Sequence, residues 1–304
     1  MQRTATRLMS DAGADALARV VTAAQLACLL EATAPKPGNV YPGRSFSDAT
    51  YEDYLASAAA IGGPFTGVGE RPLGSTVRLA IEATRCWTTS NTNLGIVLLL
   101  APLARAALSA WGRRVDLREA VRSVLASTTV DDAREVYAAI RLAAPAGLGR
   151  VDDQDVAGEP TKSLVEVMQL AADRDGNARE YATGFEATFE AAAPALRRAR
   201  IDGLSWSDAI VETFLTLLAD TPDTHVARRA GDEVAAAVSR LARDVLAAGG
   251  VRSEGGRCAI DDLDRALRDP HHAANPGTTA DLMAAAVFVV LIESGEEATH
   301  AAAR

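Results

Sequence analysis

Apolar residues recur along most of the chain at the three- and four-residue spacing of an amphipathic helix. Between about residues 14 and 32, apolar side chains such as Leu17, Val20 and Leu30 leave Arg19 on the opposite face. Comparable patterns predict further helices over about 50–61, 73–87, 94–104, 117–125, 131–142, 161–172, 177–189, 205–218, 232–248, 259–268 and 278–292. No segment shows the strict alternation of a half-buried strand. The pattern therefore predicts an all-α protein.

The turns are spaced for helices of about 10 to 20 residues, which is an ordinary globular length. We find no internal repeat, heptad seam or low-complexity linker. The expected architecture is a single multi-helix globular bundle over residues 1–304, with polar loops between the helices that form a central cleft and with frayed termini.

The most apolar helix directly follows a cluster of small polar residues, Thr88 to Gly95. Ser90, Asn91 and Thr92 are favoured helix N-cap residues. The first backbone N–H groups of a helix have no intrahelical partner and lie at its positive end, so this segment can hold a phosphate-bearing ligand. A capped core helix without a ligand is the alternative. Pro102 is expected to kink this helix.

Five other polar segments carry candidate binding groups. The loop 35–44 is rich in proline and glycine and presents Lys36 and Asn39 from a restricted backbone, although it is equally consistent with a solvated connection. The loop 151–156 presents Asp152 and Asp155, either as cation ligands or as a solvated acidic turn. The remaining candidates stand at three helix starts, and they are Asp175, Asp223, Arg228, Arg229, Thr278 and Asp281.

Composition narrows the class of protein further. The chain is 48% hydrophobic but only 5% aromatic, with Ala, Leu and Val supplying most of the apolar share, which favours helices over sheets. A formal net charge of −9 argues against a nucleic-acid or anionic-membrane partner. Three cysteines without a C-x-x-C spacing suggest neither a disulfide framework nor a zinc site.

The first eleven residues lack the apolar core of a signal peptide. The longest uninterrupted apolar run, Leu94 to Ala104, is too short to cross a bilayer, which takes roughly 20 residues. We therefore expect a soluble, cytoplasmic protein whose partners are small molecules, and a homo-oligomer is compatible with the sequence.

The candidate residues share one chemistry. Lys36, Arg228 and Arg229 suit phosphate oxygens, the arginines through a forked geometry and the lysine as a point charge. The carboxylates suit a hard cation such as Mg²⁺, which takes a few carboxylates together with water and substrate phosphates. The candidate metal ligands are Asp152, Asp155, Asp223 and Asp281, with Asp175 as a further carboxylate. These residues predict binding of a magnesium–nucleotide or another polyphosphate.

Several segments resemble the triphosphoribosyl-dephospho-CoA synthase family. The segment 31–40, E-A-T-A-P-K-P-G-N-V, is similar to the family signature of a glutamate shortly before P-K-P-G-x-V. The segment 91–95, N-T-N-L-G, is similar to the end of the family motif T-G-G-x-N-T-H-K-G. Blocks around residues 174–181, 223–231 and 276–282 follow in the family order, so the resemblance covers about residues 25 to 292.

The resemblance implies an all-helical transferase that joins ATP to 3′-dephospho-CoA and releases adenine, making a precursor of the prosthetic group of citrate lyase or malonate decarboxylase. Such a transfer requires an acid and a base, as glycoside chemistry does. The expected catalytic residues are Glu31, Asp175 and Asp223, and Mg²⁺ would accompany ATP. The expected residues for phosphate or substrate binding are Lys36, Asn39, Asn91, Thr92, Asn93, Arg228, Arg229 and Thr278.

The chain departs from the family motif at its centre. Asn93-Leu94 stands where the family has His-Lys, and Thr88-Thr89 replaces Gly-Gly. Loss of the lysine removes about 1.5–3 kcal/mol of charge-assisted binding to a triphosphate. The departure indicates a divergent branch, for which the alternatives are another phosphorylated cofactor precursor as substrate or a non-catalytic ligand-binding or scaffold subunit.

Overall fold

The helical periodicity of the sequence is realised along nearly the whole chain. The computed structural model describes residues 2–113, 115–269 and 271–302. Within these ranges the chain contains helices and no strand, and Tyr41 and Arg44 form a single isolated bridge. The prediction of an all-α fold is thereby confirmed. The helices are α1 (Gln2–Thr33), α2 (Tyr51–Ala60), α3 (Gly62–Phe65), α4 (Leu73–Arg85), α5 (Leu94–Ala110), α6 (Leu117–Ala126), α7 (Val130–Ala143), α8 (Leu164–Ala171), α9 (Gly176–Thr183), α10 (Ala193–Ile201), α11 (Trp206–Asp220), α12 (Thr224–Ala230), α13 (Asp232–Ala247), α14 (Glu254–Leu267) and α15 (Gly277–Ala302).

Two apolar helices, α5 and α15, form the centre of the bundle. They pack against each other, and α1 contacts both. α4 and α6 cover other sides of α5, whereas α10 and α11 cover α15. Because nearly every residue from Leu94 to Leu103 and from Met283 to Val290 is buried, these helices are apolar on all faces, as buried core helices are. α5 continues through the buried Pro102 without interruption.

Capping residues begin several helices where the sequence predicts them. Thr50 forms a capping box with Asp53, and Asp116 and Ser205 accept hydrogen bonds from the third residue of their helices. α7 begins one residue earlier than predicted, because Thr129 forms the capping box with Asp132. α14 begins at Glu254, five residues before the predicted start.

One predicted long helix is wrong. The chain from residue 177 to 189 breaks after α9, because Gly184 and Phe185 both adopt left-handed backbone angles. The buried carboxylate of Glu180 then accepts hydrogen bonds from the amides of Ala187 and Thr188, both at 2.9 Å, and a π-helical turn leads into α10. Periodicity cannot reveal this break. Phe185 counts as an apolar position of the predicted continuous helix, and it is also buried in the observed broken chain.

Two segments are long and apolar enough to cross a membrane by length and composition alone, Gly13–Thr33 within α1 and Gly277–Ser294 within α15. Neither segment entered the prediction made from the sequence, which considered only the uninterrupted apolar run Leu94–Ala104. Within the bundle, 67% of the α15 segment is buried, and a core helix of this kind passes the same test of length and composition.

Candidate active site

A cavity of about 730 Å³ opens where four helices begin. The first residues of α5, α9, α12 and α15 all reach it, so the positive ends of four helix dipoles point toward one space. This arrangement favours an anionic ligand. The polar residues that line the cavity include Asp48, Arg85, Ser90, Asn91, Asp155, Arg174, Asp175, Asn177, His225, Arg228, Arg229, His272, Asn275, Thr278 and Asp281.

Hydrogen bonds between side chains hold three of these helix starts together. Thr224 accepts from the amide of Gly176 at 3.0 Å and shares a 2.9 Å hydrogen bond with Thr278, which joins α9, α12 and α15. The buried carboxylate of Asp223 accepts from the amides of His225 and Val226 with one oxygen. Its other oxygen accepts from the amide and hydroxyl of Thr279, both at 2.7 Å. Asp223 thus caps α12 and anchors α15.

Asp281 extends from the second turn of α15 to the start of α5. Its Oδ2 accepts a hydrogen bond from the Asn177 side-chain amide at 2.7 Å. A Cβ atom placed on Gly95 would lie 1.9 Å from the same oxygen, so only glycine permits this approach. Burial raises the pKa of Asp281 well above its usual value, and the negative charges of Glu31, Asp175 and Asp223 add to this, while the hydrogen bond from Asn177 opposes it. The side chain is therefore a candidate proton carrier.

Arginines supply the positive charge of the cavity. Arg228 pairs with Asp175 at 2.5 Å, while the other Asp175 oxygen caps α9 at the amide of Ala178. The Nε of Arg228 is buried without a hydrogen-bond partner. Arg229 donates to the main-chain oxygen of His271. Since Arg85 and Arg174 also line the cavity, four guanidinium groups can meet a polyphosphate there.

His225 lines the same cavity from the first turn of α12. Burial lowers its pKa, and the charges of Arg228 and Arg229 lower it further, whereas Asp223 and Asp175 act in the opposite direction. A neutral imidazole follows at pH 7, which can accept a proton. A Cβ atom on Gly277 would lie 2.1 Å from Nδ1 of this ring, so Gly277 makes room for it.

The remaining wall of the cavity is apolar. It is built from the inner face of α7, the loop after it and α8. Gly147 in this loop packs against Arg228 and Arg229, so the apolar wall adjoins the arginines. The apolar side chains include Val136, Ile140, Ala143, Pro145, Leu148, Val156, Leu164, Val167 and Met168.

The structure brings together about half of the site residues predicted from the sequence. Those that line the cavity are Asn91, Asp155, Asp175, Arg228, Arg229, Thr278 and Asp281. Those that lie behind the lining or outside it are Glu31, Lys36, Asn39, Thr92, Asn93, Asp152 and Asp223. Their predicted roles in binding or catalysis stay predictions.

Glu31 and Lys36 form a buried ion pair of 2.9 Å behind the cavity. The lysine is fully buried and also donates to the main-chain oxygens of Glu31 and Ala34. Asn39, in the same loop, donates to the carbonyl of Pro37 at 3.3 Å, and its own carbonyl accepts from Arg268. These contacts close the P-K-P-G loop onto itself and onto α14.

The polar residues before α5 divide between capping and packing. Asn91 accepts from the amide of Leu94 at 3.2 Å and remains exposed at the cavity. The hydroxyl of Thr92 is hydrogen-bonded to Ser57, and the Asn93 amide donates to Thr84 at 3.0 Å. Thr92 and Asn93 are both buried.

The acidic loop does not gather its carboxylates. Asp155 accepts from the amides of Val151 and Ala157, at 2.9 and 2.8 Å, while Asp152 is exposed. Within the described residues, no group of three or more His, Cys, Asp or Glu side chains is placed to hold a metal ion.

Several residues of the cavity are not among the predicted site residues, and they include Asn177, His225, His272 and Asn275. Three of these have a buried polar atom without a hydrogen-bond partner, Oδ1 of Asn177 and Asn275 and Nδ1 of His272. Such atoms are unusual in folded proteins. The signal available in the sequence is their position, because Asn177 and Asn275 stand at helix starts that carry predicted site residues.

Comparisons with known proteins identify the relatives of the chain. A profile of the ATP:dephospho-CoA triphosphoribosyl transferase family matches residues 17–300. A protein of Azotobacter vinelandii named as a 2-(5″-triphosphoribosyl)-3′-dephosphocoenzyme-A synthase is 34% identical over 148 residues, 49% of this chain and 50% of that protein. Its namesake in Pseudomonas savastanoi pv. phaseolicola is 33% identical over 167 residues, 55% of this chain and 56% of that protein. The chain thus spans about half the length of these curated relatives.

A crystal structure from Archaeoglobus fulgidus, titled as a triphosphoribosyl-dephospho-CoA synthase, has a similar fold. Its TM-score with this chain is 0.61 at 31% sequence identity. The superposition covers 79% of this chain and 98% of that one.

Proposed function

The chain belongs to the ATP:dephospho-CoA triphosphoribosyl transferase family, and on this premise we propose that it transfers the triphosphoribosyl group of ATP to 3′-dephospho-CoA and releases adenine. The observation that carries this proposal is the cavity, which four helix starts and four arginines line together with Asp281 and His225. An anion-binding space that contains a proton-carrying pair suits a transfer between two nucleotides.

In this reaction the bond between C1 of the ATP ribose and N9 of adenine breaks, and a ribose hydroxyl oxygen of dephospho-CoA bonds to the same carbon. The hydroxyl proton must leave, and the departing adenine must gain a proton. The neutral His225 is suited to take the hydroxyl proton, and Asp281, with its raised pKa, is suited to give one to adenine. Asp175 lines the same cavity and, through its ion pair with Arg228, would hold that guanidinium group in place.

The charge distribution of the cavity suits both substrates. Arg228 and Arg229 lie beside the apolar wall, so they can bind a diphosphate whose uncharged extension lies along α7 and α8. The pantetheine arm of dephospho-CoA is such an extension. Arg85 and the start of α5 lie elsewhere on the lining and are available to the triphosphate of ATP.

A magnesium ion fits the polar lining. The side-chain oxygen of Asn177 has no hydrogen-bond partner and is available to the ion, whereas Asp281 is reserved for proton transfer. Hard oxygen ligands in small number are what Mg²⁺ takes when substrate phosphates and water complete its shell. Bound there, the ion would neutralise phosphate charge. We expect the protein to act in the cytoplasm on these small molecules.

One observation favours an alternative substrate in place of dephospho-CoA. Leu94 lines the cavity at the position where the family motif has lysine. The cavity therefore lacks one cation and gains an apolar contact, which suits a phosphorylated cofactor precursor of lower charge than dephospho-CoA or ATP. The same assay, with such precursors in place of dephospho-CoA, examines this alternative.

The test is incubation of the purified protein with ATP, MgCl₂ and dephospho-CoA, followed by chromatography and mass spectrometry. We expect free adenine in a one-to-one ratio with a product in which triphosphoribose is joined to dephospho-CoA.

Asp281→Asn should slow adenine release at least about 100-fold, because it removes a proton carrier. Arg252→Ala, a change at an arginine that pairs with Asp202 and Glu212 outside the cavity lining, serves as the matched control. Absence of adenine from reactions in which the protein binds both nucleotides would contradict the proposal.

A further inference from the structure

The turn between α14 and α15 contributes two unpaired polar atoms to the cavity. His272 and Asn275 both line it, and they are three residues apart in this turn. His272 Nδ1 and Asn275 Oδ1 are buried and have no hydrogen-bond partner. The reaction described above uses neither side chain.

The ring of His272 is held in one orientation and one tautomer. Its Nε2 accepts a hydrogen bond from the main-chain amide of Ser47 at 3.2 Å, and an amide can only donate. Nε2 therefore carries no proton, so the proton of the neutral ring is on Nδ1. Phe46 stacks on the ring with a centroid separation of 4.0 Å and an interplanar angle of 22°. The unpaired Nδ1 is thus a hydrogen-bond donor beside an aromatic surface.

Asn275 supplies the complementary group. Its side chain is 8% exposed, and the unpaired atom is a carbonyl oxygen, which only accepts. Hydrogen bonds hold the turn, because Asp269 accepts from the amides of His271 and Ala273 at 2.7 and 2.8 Å. Arg229 binds the turn from α12 through the main-chain oxygen of His271. Donor and acceptor are therefore presented on a fixed frame.

The unpaired atoms concentrate at the cavity. Among the described residues, six buried side-chain atoms lack a partner, and four of them belong to residues that line this one space. The other two are hydroxyl groups of Thr188 and Thr213. Because unpaired buried polar atoms destabilise a fold, their concentration in one cavity indicates groups reserved for a ligand.

We infer that residues 271–276, together with Phe46, form an adenine-reading site, in which His272 Nδ1–H donates to a ring nitrogen of adenine and Asn275 Oδ1 accepts from the neighbouring 6-amino group. Both edges of adenine that carry the amino group place a ring-nitrogen acceptor beside it, at N1 or at N7. Hypoxanthine and guanine carry an oxygen at position 6, which would face the oxygen of Asn275. The inference rests on the proposed use of adenine nucleotides and adds the residues that select the base.

The test measures binding rather than turnover, by calorimetric titration of the wild-type protein with ADP, IDP, 1-deaza-ADP and 7-deaza-ADP. IDP should bind about tenfold or more weakly than ADP, because a buried acceptor is left facing another acceptor. One of the two deaza analogues should lose a comparable factor, and its identity reports which edge is read. Equal affinity for ADP and IDP, equal affinity for all three adenine analogues, or no binding of ADP would each overturn the inference.

Two variants assign the two contacts separately. If N7 is the atom read, Asn275→Leu should bring the ADP and IDP affinities to within about twofold and leave the loss with 7-deaza-ADP in place. If N1 is read, a preference for ADP should remain, because N1 of hypoxanthine carries a hydrogen that faces the His272 N–H. His272→Phe should remove the loss of affinity with the deaza analogue and keep the preference for ADP over IDP. Arg252→Ala, a change outside the cavity lining, should retain both preferences. Each preference is a ratio measured within one protein, so a general loss of folded protein cancels. Variants that keep both wild-type preferences would refute the assignment.

The outcome is separable from that of the proposed function. If ADP is preferred over IDP but no adenine is released from ATP, the transferase reaction fails while the adenine-reading site stands. If adenine is released but IDP and the deaza analogues bind as well as ADP, only the adenine-reading site fails.

Discussion

Asp281 and Lys36 show how differently a partly buried carboxylate and a fully buried lysine can be accommodated. Lys36 has a carboxylate at 2.9 Å and two main-chain acceptors, so its charge is compensated within the fold. Asp281 has one neutral amide partner, and three other carboxylates act on it unfavourably. The fold therefore holds Asp281 in an unfavourable environment for its charge, which is a feature of functional sites.

At the residue scale, we predict that Asp281→Asn stabilises the protein without ligand at pH 7.5. The pKa of Asp281 is raised in the folded state. Its ionisation therefore costs no stability below the unfolded-state pKa, and the cost grows as pH rises toward the folded-state value. Asparagine avoids this cost and can still accept from Asn177. The melting temperature should rise by about 2 °C or more at pH 7.5, and by less near pH 4.5.

Thermal unfolding of the wild type, Asp281→Asn and Asp152→Asn at both pH values provides the measurement. Asp152 is exposed, so its substitution should have little effect at either pH. A lower melting temperature for Asp281→Asn at pH 7.5 would show that the carboxylate stabilises the fold instead.

At the scale of elements, the cavity depends on short helices that are fastened at their starts. α12 is only seven residues long, and Asp223 both caps it and holds the first turn of α15. A helix this short has little stability of its own. The positions of His225 and Thr278 at the cavity therefore follow from one buried carboxylate.

We predict that Asp223→Ala lowers the free energy of unfolding by about 2–4 kcal/mol, since it removes a helix cap and two charge-assisted hydrogen bonds to Thr279. Asp116→Ala is the matched control, because Asp116 caps α6 with a single hydrogen bond to Glu119 at 3.1 Å and should cost about 1 kcal/mol. Urea denaturation measures both. Equal losses would mean that the contact between α12 and α15 contributes nothing beyond capping.

At the scale of the whole molecule, the cavity joins segments from Phe46 to Asp281 around the central helices α5 and α15. A ligand that binds this assembled space binds the native state alone, and at 100 times its dissociation constant it adds about 2.7 kcal/mol to the free energy of unfolding. Ligand binding should thus stabilise elements that are far apart in the sequence.

We predict that ATP with Mg²⁺ slows amide hydrogen exchange at the starts of α5, α9, α12 and α15 together, and raises the melting temperature. Arg228→Ala should reduce both effects because it removes a guanidinium group at the cavity, whereas Arg252→Ala should not. The same measurement with phosphorylated cofactor precursors ranks alternative acceptors. Protection confined to one helix would contradict a site shared by four helix starts.

Much of the fold follows from local pattern. The apolar periodicity predicts most of the helices to within a few residues, because burying one face of a helix requires apolar side chains at three- and four-residue spacing. Small polar residues before the apolar runs at Leu94 and Met283 mark helix starts that do line the cavity. The break at Gly184 and Phe185 escapes this pattern, since it depends on Glu180 satisfying amides of the next segment.

The sequence by itself determined the helical class, the family and the segments from which the site is drawn, because these depend on spacing and residue type along the chain. Only the tertiary structure decided which polar side chains face the cavity and which form hydrogen bonds or ion pairs within the protein. Lys36 and Asp223 have the chemistry of ligand-binding groups, yet their partners Glu31 and Thr279 lie within the protein. His272 and Asn275 are not predicted as site residues, yet each is left with an unpaired polar atom and lines the cavity. A side chain's availability depends on what the rest of the chain places against it, and residue type does not encode that.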